Sequence, residues 1–279
     1  MNSGSFLSDS FLDGPLPDSL GVPWMRNIIN GVTTTKRISR IMKLEHFLAW
    51  YDTQASYFMR PSEWEDQNDA IILRTNLYDE SHPEESYQLG WQNQYFAQCW
   101  CAKESESWAM WNVFTKDKNN YVNPDGYVMV TSTVDKVMSS LWNSTDVEGH
   151  RIYCGDVKYV PIYNLIDEKF FANQSDGIFD NNGSEIVRLM LFKSDEYNFE
   201  HEVRFIIQSK ASEGLLNVTI QQTYKTQNII DGIILHPKSS DAYLSNVRQA
   251  LSDRKSSLRA DRSKLFTQKP TKYAIPDQF

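Results

Sequence analysis

The decapeptide Asn198-Phe199-Glu200-His201-Glu202-Val203-Arg204-Phe205-Ile206-Ile207 carries more acid/base chemistry than any other stretch of the chain. Glu200 and Glu202 are two apart, so a strand running from Val203 to Ile207 and reaching back through Glu202 would put both carboxylates on one face. Carboxylates that close repel, and one of them should titrate above a free glutamate. In an apolar groove the two can divide the work, one steering a substrate hydroxyl and the other stabilising developing positive charge. The competing reading is an edge strand whose glutamates pair with Arg204 or a lysine, because structural ion pairs perturb carboxylates as well.

Other groups could serve such a pair. Arg60 sits at the end of a short run, Ser56 to Arg60, that Pro61 stops. Its planar fork suits a phosphate, and Glu63, Glu65 and Asp66 are the carboxylates it would otherwise pair with. Thr131, Ser132 and Thr133 form a hydroxyl cluster between a strand and a helix. Ser132 with Asp135 reads as a capping box, and hydroxyls at such a junction also suit a ribose or a phosphate. Trp108, Met110, Trp111 and Phe114 crowd one short helix, either as core packing or as walls for a flat ring, to which Tyr127 would add. Lys193 with Glu200 and Glu202 admits a further reading, a magnesium nuclease.

The elements that must position these groups follow from pattern. Residues 1–35 are rich in Ser, Gly, Asp and Pro and read as an N-terminal arm, with Trp24 and Met25 tying down its end; residues 36–279 read as one domain. Leu44, Phe47, Leu48 and Tyr51 specify an amphipathic helix from Ile41. Strands are expected near 56, 95, 127, 155, 203, 216 and 232, helices over Val134 to Trp142 and from Ser239 to about Ser252, and a bulge at Gly155. Residues 67–90 read as acidic loop. Asn164 to Ser184 reads as a long loop, a candidate lid. The fold class is α+β: mixed, mostly antiparallel curved sheets with flanking helices.

A formal charge of −8 and a pI near 5.2 argue against sequence-independent nucleic-acid binding. No apolar run reaches membrane-spanning length and the N-terminus has no secretory pattern, so a cytoplasmic protein is expected. Three cysteines, Cys99, Cys101 and Cys154, are too few for a disulfide framework, and the five histidines show no metal-ligand spacing, so no metal is expected. Lys255, Arg259, Arg262 and Lys264 read as a solvated basic face.

From Lys36 to Phe266 the ordered set Cys99-Trp100, Glu106 to Trp111, Gly126 to Thr133, Gly155 to Tyr159, Phe192-Lys193 and Phe199 to Arg204 resembles a widespread bacterial and phage family, known as domain of unknown function number twenty-nine seventy-one. The chain departs from it in its N-terminal segment, in the longer turn at Asn119 to Asp125, and in the turn after Arg60. The order Arg60, Thr131-Ser132-Thr133, Glu200-His201-Glu202 also resembles, more distantly, mono-ADP-ribosyltransferases of the Arg-Ser-Glu type. That resemblance implies an ADP-ribosyltransferase-like fold with NAD as substrate. Glu202 would stabilise an oxocarbenium-like state and Glu200 would position the nucleophile. Arg60 would clamp the pyrophosphate, Ser132 or Thr131 would hold the ribose side, Trp108, Trp111 or Tyr127 would cover the nicotinamide, and Thr133 and Lys193 join the cofactor-binding set. Hydrolysis of NAD and transfer to a protein or nucleic-acid acceptor both stay open, in a setting of toxin, defence or phage–host conflict. The alternative is a non-catalytic module in which the arm and exposed aromatics bind a host protein.

Overall fold

Glu202–Gln208 is a strand buried along all but its last residue, as a β-branched and aromatic run flanked on both sides by other strands must be. The computed structural model describes residues 23–79, 81–87, 92–102, 106–144, 151–167, 169–174, 183–209, 215–219 and 226–267. In chain order the described elements are β1 (Ile28–Ile29), β2 (Arg37–Lys43), α1 (Leu44–Thr53), β3 (Ala55–Met59), β4 (Leu77–Asp79), β5 (His82–Tyr87), β6 (Tyr95–Cys101), α2 (Trp108–Phe114), β7 (Tyr127–Thr133), α3 (Val134–Trp142) and β8 (Arg151–Asp156). They continue with β9 (Lys158–Val160), α4 (Ile162–Leu165), α5 (Phe170–Gln174), α6 (Ser184–Leu189), β10 (Phe192–Ser194), β11 (Glu202–Gln208), β12 (Leu215–Thr219), α7 (Thr226–Ile229), β13 (Gly232–Leu235), α8 (Asp241–Asp253) and β14 (Ala260–Arg262).

One sheet organises them, in the order β1-β8-β11-β6-β2-β7-β13-β14, with β3 meeting β6 at Met59↔Ala97 and β12 added on β3. Its pairings are antiparallel except β1 with β8 and β13 with β14, so the fold is mixed, mostly antiparallel α+β. The pleat sends Val203, Phe205 and Ile207 to one face, where they join Trp100, Ile38, Val128 and Val130 under Phe47 and Trp50 of α1, Met138 and Leu141 of α3, and Val247 and Leu251 of α8. Trp100 meets Trp50 and Phe205 edge-on, with ring centroids at 6.5 and 6.4 Å, the geometry the ring quadrupoles favour. Ile206, Ala97, Tyr95 and Tyr153 face the other way, into a second core with Ile72, Leu189, Met190 and Phe192.

The sheet does not close evenly. β2 pairs with β7 along its whole length, from Arg37↔Thr133 to Lys43↔Tyr127, but meets β6 only at Ser39↔Cys101. The two halves therefore splay into a wedge on either side of that pair.

Several expectations need correcting. Ile41 lies in β2, and the helix begins at Leu44. The cap of α3 is Thr133, whose side chain accepts from Lys136 N, while the Ser132 hydroxyl turns inward to Ile229 O at 2.7 Å. Within residues 67–90 lie a 3-10 turn at Ile71–Leu73 and the β4–β5 hairpin. The stretch from Asn164 holds part of α4 and all of α5, with Phe171 buried against Phe192; Phe179 lies outside the described residues. At the end of the arm Trp24 is buried but Met25 is half exposed, and residues 1–22 lie outside the described residues. The basic face stands as expected: Lys255, Arg259 and Lys264 are exposed, and Arg262 pairs at the surface with Asp241 at 2.6 Å.

Gly155 makes no bulge. It sits in register between Ile29 and Arg204, where an added Cβ would lie 2.4 Å from Leu191 Cδ1 and 3.2 Å from Ile29 O. Gly155→Ala should therefore lower stability by about 1–3 kcal/mol in urea unfolding, whereas Gly232→Ala, with its nearest neighbour at 3.7 Å, should stay within about 0.5 kcal/mol of the parent. Equal effects would contradict this packing.

Candidate functional site

Glu200 and Glu202 do converge, but through a turn. Glu200 ends a 3-10 helix over Asp195–Glu200, His201 is left-handed at φ 44, and Glu202 opens β11. Both carboxylates reach Lys193 Nζ of β10, Glu200 Oε2 at 2.5 Å and Glu202 Oε2 at 3.3 Å. A third, Asp69 Oδ2, lies 3.3 Å from the same ammonium and comes from the loop between β3 and β4.

Arg204 ties this cluster together. Its Nε donates to Glu202 Oε1 at 2.8 Å and its Nη2 to Glu202 Oε2 at 3.0 Å, a two-pronged grip suited to a carboxylate. Nη2 also donates to Asp69 Oδ2 at 2.9 Å, and Nη1 donates to Met190 O at 2.7 Å. The side chain has no exposed surface, and its cross-strand neighbours are the small residues Gly155 and Cys99, which leave room for a guanidinium. The Trp64 ring covers it at 4.7 Å, as the Tyr197 ring covers Lys193 at 4.7 Å. Glu202 N donates to the Tyr159 hydroxyl at 2.8 Å, and the Cys99 thiol bonds the Glu202 carboxylate.

The environments push the two glutamates apart. Burial raises Glu200, and the nearby Glu202 and Asp69 raise it further against the pull of Lys193. Burial acts on Glu202 in the same direction, but Arg204 and Lys193 outweigh it and bring its pKa down to about 2. Lys193 is raised despite its burial, chiefly by Glu202 and Asp69. Three carboxylates, Asp69, Glu200 and Glu202, thus face two cations, Lys193 and Arg204. Such a division is found at acid/base sites and in structural ion-pair networks alike.

Next to this network the wedge opens into a cleft of roughly 730 Å³. Arg37, Ser39 and Ile41 of β2, Met129, Thr131 and Thr133 of β7, and Glu106, Ser107 and Met110 at the start of α2 line it, with Cys101 at its β6 edge. Thr131, Ser39, Cys101 and Glu202 are in register across four neighbouring strands and so face one side of the sheet. Glu202 itself is not at the cleft wall; Cys101 stands between. Arg37 is exposed and no carboxylate pairs with it among the described residues. Lys136, also at the wall, pairs with Asp231. Arg40, half-buried on β2, is likewise without a carboxylate partner among the described residues, and desolvation lowers its pKa.

The remaining candidates fall in different places. Thr131 and Thr133 are at the cleft, Thr131 with its hydroxyl to Gly232 O at 3.3 Å. Ser132 contributes to the wall, but its side chain is buried. Trp111 is buried behind the wall and donates from Nε1 to Glu106 Oε2 at 3.2 Å; Trp108 packs on Phe266 and His236. Tyr127 is buried with its hydroxyl on Lys116 O. Arg60 does not join them. Its guanidinium lies 5.2 Å from the Phe96 ring, and Phe96 is five residues along β6 from Cys101 and points into the opposite core. Sequence reasoning missed Asp69, Arg37 and Arg204's central place; the alternation of Glu202, Arg204 and Ile206 was the signal available for the last.

No protein-family model matches the chain, and no curated protein matches it. Among the described residues no His, Cys, Asp and Glu group is arranged to hold a metal, and no helix is long and apolar enough to cross a membrane. In the carboxylate cluster the ammonium of Lys193 sits where a cation would.

The folded pKa of Glu202 lies below its ordinary 4.5, so its contribution to stability is fully present above that pH and is lost as pH falls toward about 2. The stability difference between the parent and Glu202→Gln should be about 3 kcal/mol above pH 4.5 and shrink steadily below it, read by urea unfolding across pH. A difference that does not change with pH would contradict the ionised, doubly gripped carboxylate.

Proposed function

We propose that the chain is an NAD-consuming enzyme that breaks the bond between nicotinamide and ribose, as an ADP-ribosyltransferase or an NAD glycohydrolase. The observation that carries this reading is the divided carboxylate pair beside a cleft that offers hydroxyls and apolar surface together. Departure of nicotinamide with the bonding electrons leaves positive charge on the ribose, and an ionised Glu202 would stabilise it. The acceptor then bonds to the same carbon and gives up its proton. Glu200 would take it in its ionised form, and a carboxylate whose pKa burial and the neighbouring Glu202 raise is a stronger base than a free glutamate.

NAD laid along β2 and β7 would place its pyrophosphate at Arg37 and its ribose hydroxyls among Ser39, Thr131 and Thr133. Ile41, Met110 and Met129 offer apolar surface for a flat ring. The reacting ribose would then reach Cys101, about 4.8 Å of strand spacing from Glu202. In this arrangement Arg37 takes the clamp role first assigned to Arg60. The resemblance of Thr131-Ser132-Thr133 and Glu200-His201-Glu202, though not of Arg60, to the motifs of Arg-Ser-Glu transferases supports the same chemistry, acting in the cytoplasm in a toxin, defence or phage–host setting.

Purified protein should release nicotinamide from NAD, and Glu202→Gln, verified as folded, should release it about 100-fold to 1,000-fold more slowly. Arg37→Ala should raise KM for NAD by about tenfold to 100-fold, the worth of a hydrogen bond to a charged group. Adding cell lysate separates transfer from hydrolysis by its effect on rate. No release by folded protein, with or without lysate, would overturn the reading in favour of a binding module.

A further inference from the structure

We propose that Asp69 is the positioning residue of the carboxylate pair: from its loop it engages both cations of the network and so settles which glutamate is left short of positive charge. The proposal deepens the reading of Glu200 and Glu202 as the reacting groups and rests on it.

The geometry distributes the two cations unequally. Glu202 holds Arg204 through both oxygens, at 2.8 and 3.0 Å, and Lys193 at 3.3 Å. Asp69 also takes both, with Arg204 Nη2 2.7 Å from its Oδ1 and Lys193 Nζ 3.3 Å from its Oδ2. Among the described residues Glu200 has Lys193 as its cation, and that ammonium is shared three ways. Removing the charge of Asp69 would leave Lys193 to two partners and draw Glu200 toward its ionised state. Asp69 is among the causes that raise Glu200.

Asp69 is held for this purpose from outside the sheet. Arg74 donates to Asp69 O at 2.6 Å and Gln67 O at 3.1 Å and also reaches Pro61 O, clamping the loop on itself. Asp69 N donates to Asp66 O at 3.2 Å, and Ala70 is left-handed at φ 50 before Ile72 and Leu73 enter the second core. The titratable groups around the pair are Lys193 on β10, Tyr197 in the turn before Glu200, Arg204 on β11, Tyr159 on β9, Cys99 on β6, and Asp66 and Asp69 on the loop. Of these two aspartates only Asp69 contacts both cations among the described residues.

The test is titration of the glutamate side chains by carbon NMR, on the full chain and on Asp69→Asn, alongside the pH profile of nicotinamide release. In the variant the Glu200 midpoint should fall by about one unit while Glu202 stays well below a free glutamate, and the basic group seen in the rate profile should shift with Glu200. KM for NAD should stay within about twofold, because Asp69 does not line the cleft and its loss leaves ground-state binding intact. An unmoved Glu200, or both glutamates relaxing together to the free value as a merely structural loop would allow, overturns the proposal. If Asp69→Asn fails to fold, Arg74→Lys, which weakens the clamp on the loop but keeps the positive charge that acts on Asp69, should lower Glu200 in the same direction by less; no change there overturns it equally. Absence of nicotinamide release in the parent would sink the enzymatic reading, while the titration would still decide what Asp69 does.

Discussion

Arg204 has no exposed surface and grips two carboxylates from two distant parts of the chain, and the arrangement around the candidate site depends on it. A guanidinium taken out of water is tolerable only where hydrogen bonds and opposite charge replace its hydration. Here Glu202, Asp69 and Met190 O supply them, and Trp64 closes the remaining side. Each partner is thereby fixed in turn. Glu202 is kept ionised, the Asp69 loop is drawn onto the sheet, and Lys193 is left to balance what remains.

The second constraint is the splayed sheet. A strand that pairs fully on one side and at a single register position on the other leaves a wedge, and on this face Arg37, Ser39, Thr131 and Thr133 line the cleft that results. α1, α3 and α8 do not fill it, because Phe47, Trp50, Met138, Leu141 and Val247 commit them to the apolar face, and the start of α2 only lines it. A cleft next to a carboxylate pair in unequal environments is thus a product of how the two sheet halves meet, with Cys101 as the shared edge.

Much of the scaffold was legible because local rules and tertiary needs agreed. β6, β7 and β11 announced themselves by β-branched and aromatic runs, α3 by a hydroxyl start and spaced apolar residues, and α8 by Ser240, whose side chain accepts from Tyr243 N. β2 was not legible, since Arg37, Arg40 and Lys43 mask its alternation and Ile41 also fits the helical spacing that follows. The carboxylate pair could be picked out from spacing alone, though the left-handed His201 turns one of its members through a bend that spacing does not reveal. Asp69 stood no chance: it is a loop residue 135 positions from Arg204, and nothing local distinguishes it from its acidic neighbours. Arg60 drew notice by its place after a strand, but β3 meets β6 at the end remote from Glu202.

The account is tested most directly by where NAD binds. Hydrogen exchange measured by mass spectrometry with and without NAD should show protection over Arg37–Lys43 and Tyr127–Lys136 and in the turn around Glu200 and Glu202, with none over Ala55–Arg60. Protection confined to the Arg60 region, or none anywhere at saturating NAD, would contradict a site built on the wedge between β2 and β6.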